Sequence, residues 1–332
     1  VSESRRFYPA GPEASHVLGT VNIDNQGISG IEKYLDDTDL ALLQDIGLAR
    51  DAALTPVRLS LDIRVQHVVR QELLDALTRY QAIAAAAVML DARTGEVIAL
   101  SSLPDFDPND PKTALVEGRL NRIAAGSFEL GSTFKTVTFA GALDSGKVTL
   151  RDTFDARFGI RFGRFTIDDY KGKNRILTTP EVYKYSSNIG TIRIQQTLGK
   201  EEFRAFLSRL HFDQLLTTEL PETARPNVPA AFSDIVAATA SFGHGISVTP
   251  LRMASVMAAF VNGGLYLEPT FFPRLLSEAE QLGERVIKPE TSERLRYLMR
   301  LNALEGSGTR MNKIAAGYRA GGKTGTDRKS VV

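Results

Sequence analysis

Apolar residues recur at helical spacing in several stretches of the chain. After the N-cap candidate Asp62, an apolar side chain at every fourth position predicts a helix with one apolar face: Val65, Val69, Leu73 and Leu77. The same spacing predicts helices over 200–210 and 289–301. A further helix is expected to begin at Thr249, a good N-cap residue that Pro250 follows.

Two short apolar runs, 87–90 and 96–100, flank a polar loop that ends in Gly95, and this predicts a β-hairpin. Hairpin strands come early, helices dominate the middle, and a strand-like segment comes at the end. This order predicts an α+β fold in which an antiparallel sheet is flanked by helices. Residues 1–55 have weak periodicity and are interpreted as an irregular leading segment.

The composition is that of an ordinary folded globular protein. Hydrophobic residues make up 43% of the 332 residues and charged residues 24%, which excludes disordered, collagen-like and coiled-coil chains. The formal net charge of +1 predicts no global attraction to nucleic acid or to an anionic membrane. The absence of cysteine excludes a disulfide scaffold and a cysteine nucleophile. The longest apolar run, 82–90, is far shorter than a membrane-spanning helix.

Two patterns suggest nucleotide or nucleic-acid binding. The stretch 317–324 matches the phosphate-binding loop pattern GxxxxGK[ST], but Gly325 is a poor start for the helix that such a loop requires. Basic and aromatic residues alternate over 157–175, as on surfaces that bind single-stranded nucleic acid. The balanced charge favours instead two strands with Phe inward and Arg outward that turn at Gly159 and Gly163. No nucleic-acid partner is therefore expected.

Other common catalytic signatures are missing from the sequence. The four histidines lie outside metal-ligand spacing of one another, which argues against a zinc site. The chain contains no GxSxG motif, which argues against a Ser-His-Asp hydrolase of that type. The candidate chemistry therefore rests on serine and lysine.

Ser132 and Lys135 form an S-x-x-K motif at the start of a predicted helix that Gly146 ends. A separation of three residues puts the hydroxyl and the amine on one helix face, close enough to share a proton. The N-terminal N–H groups of the helix favour negative charge near Ser132. A free lysine, with a pKa of about 10.4, is protonated at pH 7, so Lys135 acts as a base only if burial or a second cation lowers its pKa.

Two more short motifs complete a set. Ser186-Ser187-Asn188 says little on its own, because Ser and Asn are common in turns. Lys323-Thr324-Gly325-Thr326 supplies a second cation and, as a strand, would place its two threonines on one face. A side chain at 325 would block the close approach of a substrate backbone. Each motif is common by chance, whereas the three in this order are far more specific.

With these motifs, the chain resembles the class B penicillin-binding proteins and, within them, the division-specific (septal, FtsI-type) D,D-transpeptidases. The segments outside the motifs that carry the resemblance are 5–9, 27–32, 88–99, 104–109 and 241–251. The resemblance implies a β-lactamase/transpeptidase-like fold of the α+β class. It also implies a remnant of an N-terminal pedestal or linker over 1–55, and a penicillin-binding transpeptidase domain over 56–332 that lacks its C-terminal strands and helix. Asp327 departs from the small residue usual in the family.

The resemblance implies a role for each site residue. Ser132 would be the acylated nucleophile, Lys135 its base, and Ser186 a proton relay that is coupled to Lys323. The residues expected to bind substrate are Asn188, Thr324, Gly325 and Thr326. Backbone N–H groups of Ser132 and Thr326 would form the oxyanion hole. No metal or organic cofactor is implied.

The implied reaction is a serine acyl transfer that cross-links peptidoglycan stem peptides in septal cell-wall synthesis. Ser132 attacks the D-Ala–D-Ala bond, D-Ala leaves, and an amine of a second stem peptide resolves the ester. β-Lactam antibiotics would acylate the same serine and inhibit the enzyme. Two alternatives stay open: a hydrolase of the D,D-carboxypeptidase or β-lactamase type, and a non-catalytic β-lactam sensor or divisome scaffold.

The resemblance also implies a place in the cell and a set of partners. The catalytic domain would lie in the periplasm, held to the bacterial inner membrane by a single-pass anchor that this chain lacks. The partners would be a septal glycosyltransferase and other divisome membrane proteins.

Overall fold

The computed structural model describes residues 6–38, 56–315 and 317–326. The helices of this part are α1 (Ser15–Leu18), α2 (Gly30–Asp37), α3 (Ile63–Tyr80), α4 (Lys135–Asp144), α5 (Thr179–Tyr185), α6 (Asn188–Leu198), α7 (Lys200–Arg209), α8 (Asp234–Ala240), α9 (Pro250–Val261), α10 (Leu276–Leu282), α11 (Pro289–Glu305) and α12 (Thr309–Ile314). The strands are β1 (Ala85–Leu90), β2 (Val97–Leu103), β3 (Thr153–Asp155), β4 (Ile160–Phe162), β5 (Phe165–Ile167), β6 (Ile176–Thr178), β7 (Leu265–Tyr266) and β8 (Glu284–Arg285). Outside the described residues lie Arg5 of the family-like segment 5–9, residues 39–55 of the leading segment, and residues 327–332.

The helices predicted from apolar spacing are confirmed. The side chain of Asp62 accepts a hydrogen bond from the backbone of Arg64 and caps α3. Thr249 caps α9 in the same way, with its hydroxyl 3.1 Å from the backbone nitrogen of Arg252. The helix predicted over 289–301 is α11, which extends to Glu305. Among the described residues, no helix is both long and apolar enough to cross a membrane.

The predicted hairpin is confirmed as β1 and β2, which pair antiparallel from Ala85 opposite Leu103 to Leu90 opposite Val97. The other strand pairs of the described residues are also two-stranded and antiparallel: β3 with β6, β4 with β5, and β7 with β8. The strand expected at 323–326 is not seen, because no described strand offers this segment a hydrogen-bonded ladder.

The basic and aromatic stretch differs from its prediction. It forms a short hairpin of β4 and β5 that turns at Gly163, as expected. However, the side chains of Phe158 and Phe165 are exposed instead of facing inward. Their rings lie beneath arginine side chains, with the Arg164 guanidinium 5.1 Å from the centre of the Phe165 ring. A guanidinium therefore covers a ring face that the prediction assigned to the core.

Two apolar clusters hold the described residues together. The larger one joins α4 to α6, α7, α9 and α11, and includes Phe139, Ile192, Phe203, Val256 and Leu298. The smaller one packs Val17 and Ile31 of the leading segment against Val97 and Leu100 of β2. Residues 6–38 thus share apolar packing with the hairpin.

Helix α4 lies inside the larger cluster, and all of its residues are buried. The hydroxyls of two threonines of this helix form hydrogen bonds with neighbouring segments, as buried polar groups require. Thr136 Oγ1 lies 2.9 Å from the hydroxyl oxygen of Tyr183, and Thr138 Oγ1 donates to the carbonyl of Ser241 over 2.7 Å. These bonds fix the position of α4, and with it the position of the S-x-x-K motif at its N-terminal end.

Candidate active site

The S-x-x-K motif spans the junction between a tight turn and α4. Residues Gly131–Phe134 form one turn of 3₁₀ helix, and Lys135 is the first residue of α4. Gly131 has φ +53°, and a Cβ added there would lie 2.4 Å from the carbonyl oxygen of Thr326. Glycine is required at 131 for two reasons: other residues rarely adopt this φ, and there is no space for a Cβ atom. The turn therefore brings the backbone next to Ser132 into contact with the third motif.

Lys135 is completely buried. Its Nζ donates to the carbonyl oxygen of Ser186 and, over 3.2 Å, to Ser186 Oγ. Two of the three donors of an ammonium group are thereby occupied. The direct hydrogen bond expected between Ser132 and Lys135 is not formed in the described residues, because the amine is turned toward Ser186. The half-buried Ser132 lies on the preceding turn.

Ser186 connects the first and third motifs. It ends α5 with φ +57°, in the left-handed region that non-glycine residues rarely adopt. Its Oγ accepts from Lys135 Nζ over 3.2 Å and from Lys323 Nζ over 2.9 Å. A serine hydroxyl that accepts from two amines keeps its own proton to donate. This arrangement can pass a proton between the two lysines and a group bound beside them.

Both lysines are shifted toward the neutral form. Burial, together with the nearby charge of Lys323, lowers the pKa of Lys135 well below its ordinary value, and the carboxylate of Asp169 opposes that change. Burial lowers the pKa of Lys323 to about 8. Lys135 therefore meets the condition stated above for a lysine base, because it is buried and a second cation lies nearby.

The second motif begins α6. Ser187 caps this helix, and its Oγ accepts from the backbone nitrogen of Gly190 over 2.9 Å. The amide nitrogen of the Asn188 side chain donates to the carbonyl oxygen of Asp168 over 3.3 Å. The carboxylate of Asp169 accepts from Ser187 Oγ over 2.6 Å and also from the backbone of Asn188. Asp169 was missed by sequence reasoning, and no local pattern could have revealed a cap that lies 19 residues before Asn188.

The third motif is held in place by α11. The side-chain amide of Asn302, which is fully buried, donates to the carbonyl oxygen of Gly322 over 2.8 Å. Its oxygen accepts from Ser307 Oγ over 3.2 Å, and Ser307 Oγ lies 2.6 Å from Thr324 Oγ1. A chain of three polar side chains thus runs from the core to the hydroxyl of Thr324. Asn302 and Ser307 also escaped the sequence analysis, since nothing local distinguishes them.

Gly325 has a structural reason in addition to the substrate clearance predicted from the sequence. A Cβ at 325 would lie 2.7 Å from the carbonyl oxygen of Leu130 and 2.9 Å from Cγ2 of Thr133. The close neighbour of Gly325 is therefore the turn that carries Ser132. The absence of a side chain at 325 lets the third motif pack against the first.

The structure brings together Lys135, Ser186 and Lys323, and it packs Gly325 and Thr326 against the turn of Ser132. The phosphate-binding loop interpretation fails, because residues 321–326 contain no helix. Within the ranges described, no group of His, Cys, Asp and Glu side chains is arranged to hold a metal ion.

The comparisons with known proteins agree on one family. The family model of the penicillin-binding protein transpeptidase domain matches residues 85–331. A probable peptidoglycan D,D-transpeptidase FtsI of Caulobacter vibrioides is 36% identical over 328 residues, which is 98% of this chain and 54% of that protein. The peptidoglycan D,D-transpeptidase FtsI of Escherichia coli is 31% identical over 98% of this chain and 57% of its own length. The chain thus spans about half the length of these relatives.

Solved structures with the same fold include two bacterial proteins. Penicillin-binding protein 3 of Mycobacterium tuberculosis, solved in complex with aztreonam, superposes with a TM-score of 0.77 at 25% identity, over 96% of this chain and 71% of that one. A peptidoglycan glycosyltransferase of Burkholderia ambifaria superposes with a TM-score of 0.73 at 30% identity, over 82% of each chain. The α+β, β-lactamase/transpeptidase-like fold expected from the sequence is confirmed.

Proposed function

The chain belongs to the penicillin-binding protein transpeptidase family and is of the FtsI type, and from this premise we propose that it cross-links peptidoglycan stem peptides in septal cell-wall synthesis. The observation that carries the proposal is the contact of two lysine amines with one serine hydroxyl, Lys135 and Lys323 with Ser186 Oγ. The complete burial of Lys135 supports its use as a base.

In the proposed acylation step, Ser132 Oγ attacks the carbonyl carbon of the penultimate D-Ala. Neutral Lys135 takes the proton of the hydroxyl, and the amide bond to the terminal D-Ala breaks. Ser186 delivers a proton to the leaving amine, and Lys323 supplies the positive charge behind that transfer. Backbone N–H groups of Ser132 and Thr326 stabilise the oxyanion that forms on the attacked carbonyl.

Substrate binding is assigned to the second and third motifs. Asn188 would hold the peptide backbone of the donor stem. The hydroxyls of Thr324 and Thr326 would bind its terminal carboxylate beside Lys323, and Gly325 would keep that edge close to Ser132. The contact between Gly131 and Thr326 supports this assignment, since it puts the third motif against the turn of the nucleophile. The proposed reaction uses no metal or organic cofactor.

The second step decides among the activities that share this site. In a transpeptidase, an amine of an acceptor stem peptide attacks the acyl-enzyme and an amide replaces the ester. In a D,D-carboxypeptidase or β-lactamase, water takes that place. The FtsI-type relatives favour the amine acceptor.

The proposal extends to the domain organisation and the setting of the enzyme. We assign residues 56–332 to the transpeptidase domain and residues 1–55 to the pedestal or linker that precedes it. The packing of Val17 and Ile31 against β2 supports a leading segment that is held to the catalytic unit. The proposed location is the periplasmic face of the bacterial inner membrane. The proposed partners are stem peptides, a septal glycosyltransferase and other divisome membrane proteins.

Labelling with benzylpenicillin tests the nucleophile. The intact mass of the wild-type chain should rise by the mass of one penicillin, and Ser132→Ala should abolish the increase. Ser145→Ala, which removes an exposed serine at the other end of α4, is the matched control and should label fully. A folded wild-type chain that stays unlabelled would contradict the proposal.

Turnover of a D-Ala thioester with and without a D-amino acid acceptor separates the activities. A transpeptidase forms the aminolysis product in proportion to the acceptor. Water as the sole acceptor indicates a hydrolase. A stable penicillin adduct without any thioester turnover indicates a sensor or scaffold.

A further inference from the structure

Asp169 lies outside the three motifs, yet its carboxylate accepts hydrogen bonds from two residues of the second motif and from the residue that follows it. One oxygen accepts from Ser187 Oγ over 2.6 Å. The other accepts from the backbone nitrogens of Asn188 and, over 3.0 Å, of Ile189. A carboxylate with three donors in a fixed arrangement leaves its partners little freedom. Asp169 therefore helps to fix the positions of Ser187 and Asn188.

Through these contacts, a residue outside α6 accepts hydrogen bonds from the backbone N–H groups at the N-terminal end of that helix. The first backbone N–H groups of α6 have no partner within the helix, and a negative charge beside them is favourable. Asp169 follows β5 in the chain and reaches α6 across 19 residues of sequence from Asn188. The bond thus ties the β4–β5 hairpin segment to the start of α6.

The charge of Asp169 also acts on the base. Among the described residues, the charged groups that act on Lys135 are Lys323 and Asp169, with opposite signs. The charge of Lys323 and burial favour neutral Lys135, whereas Asp169 favours the protonated form. Asp169 thus acts on both the geometry and the protonation of the site.

We propose that Asp169 is a positioning residue of the transpeptidase reaction, whose carboxylate holds the Ser187–Asn188 segment against the lysine pair and balances the positive charge of that pair. The inference rests on the proposed function, because the lysine pair matters only if Ser132 is acylated. Asp169 does not touch the reacting atoms in this assignment.

The test measures the rate of acylation by a chromogenic cephalosporin from pH 5 to pH 10 for the wild type and Asp169→Asn. Loss of the carboxylate should lower the plateau rate about tenfold, since two charge-assisted bonds to the second motif weaken. Loss of the negative charge favours neutral Lys135, so the acid limb of the profile should move to lower pH by about 0.5 to 1 unit. A residue with a purely structural role would lower the plateau and leave the acid limb in place.

Asp168→Asn is the matched control. Asp168 is exposed, and it contacts Asn188 through its backbone carbonyl, which the substitution keeps. Its profile should overlay that of the wild type. Ser187→Ala removes one of the three contacts and no charge, so it should lower the plateau without moving the acid limb.

The outcomes separate this inference from the proposed function. If the wild type is not acylated, the proposed function is wrong. If the wild type is acylated and Asp169→Asn keeps both the plateau and the acid limb, the role of Asp169 is wrong. If the thermal transition shows that Asp169→Asn does not fold, the test passes to Ser187→Ala. A plateau rate equal to that of the wild type in Ser187→Ala would then overturn the proposal.

Discussion

Lys323 Nζ lies 2.9 Å from Ser186 Oγ, although 137 residues separate the two in sequence. Lys135 Nζ lies 3.2 Å from the same hydroxyl oxygen. Two ammonium groups beside one oxygen repel each other, and the repulsion is relieved when one of them loses its proton. The geometry therefore favours one charged and one neutral lysine, which is the combination that a base next to an electrostatic partner requires.

The first prediction concerns the charge of Lys323. In Lys323→Ala the positive charge beside Lys135 is gone, so the pKa of Lys135 should rise and less of the neutral base should be present at pH 7. We expect the acid limb of the pH profile for acylation by penicillin to move up by about one unit, so that acylation slows at every pH on that limb.

The direction of this shift is opposite to the one expected for Asp169→Asn, so a general loss of structure cannot produce both. Lys313→Ala, which removes an exposed lysine of α12, serves as the control and should leave the profile unchanged. An unshifted acid limb in Lys323→Ala would remove Lys323 from the proposed electrostatic role.

The second prediction concerns stability. The pKa of Lys323 is about 8 in the folded chain, against an ordinary value of 10.5. Between these two values the unfolded chain binds a proton that the folded chain does not, so this group makes the folded state more stable as pH rises from 8 to 10.5. Below pH 8 its full destabilising effect is present.

Lys323→Met should therefore raise the free energy of unfolding by up to about 3 kcal/mol at pH 7, with a gain that vanishes toward pH 10.5. Urea denaturation of both proteins at pH 7, 9 and 10 measures the difference. A difference that does not change with pH would contradict the depressed pKa.

Local patterns were enough to predict the parts of the molecule that short-range forces determine. The cap of α9 at Thr249 and the hairpin of β1 and β2 follow from neighbours in sequence, and both are confirmed. The helix predicted to start at the S-x-x-K motif is confirmed as α4, whereas the burial of Lys135 was only a condition for its use as a base. The coupling of Lys323 to Ser186 was expected only through the resemblance to a family.

The remaining features depend on contacts between distant segments. Asp169, Asn302 and Ser307 acquire their partners through tertiary packing, and no spacing rule links an aspartate to a helix cap 19 residues later. The exposed ring of Phe165 was mispredicted because an arginine side chain, and not the core, covers its face. The packing of Gly325 against the turn that carries Ser132 was likewise not predicted, because the two segments are far apart in sequence.

The third prediction concerns Ser307, whose Oγ lies 2.6 Å from Thr324 Oγ1. Either hydroxyl of this pair can be the donor. If Thr324 gives its proton to the substrate carboxylate, Ser307 must donate to Thr324 Oγ1 in that complex, while the backbone nitrogen of Ser307 still donates to the Asn302 oxygen. Ser307→Ala removes this donor and should weaken the complex that precedes acylation. We expect the dissociation constant of that complex for penicillin to rise about fivefold, with little change in the acylation step.

A penicillin methyl ester provides the internal comparison, because it lacks the carboxylate that Thr324 would bind. Ser307→Ala should bind the ester as well as the wild type does. Ser208→Ala, which removes a hydroxyl bonded to Asp213, should bind both compounds normally. Equal weakening for the ester and the free acid would show that Ser307 acts on something other than carboxylate binding.

The last prediction concerns the contact between the first and third motifs. Gly131 and Gly146 both have positive φ, at +53° and +77°. An added Cβ meets the carbonyl oxygen of Thr326 at 2.4 Å in the first case and open space in the second. Both positions would therefore impose the same strained left-handed backbone on an alanine, and they differ in the steric clash of its Cβ.

Gly146→Ala should cost about 1 kcal/mol of stability and keep wild-type acylation, since only the left-handed backbone is penalised. Gly131→Ala carries the same penalty and must also push Thr326 away from the turn of Ser132. Its acylation should fall more than tenfold beyond the loss that its stability explains, because displaced oxyanion-hole donors cost at least that much. Penicillin labelling rates and thermal unfolding of both variants give the comparison. Equal rates would mean that the two motifs need not touch for Ser132 to react.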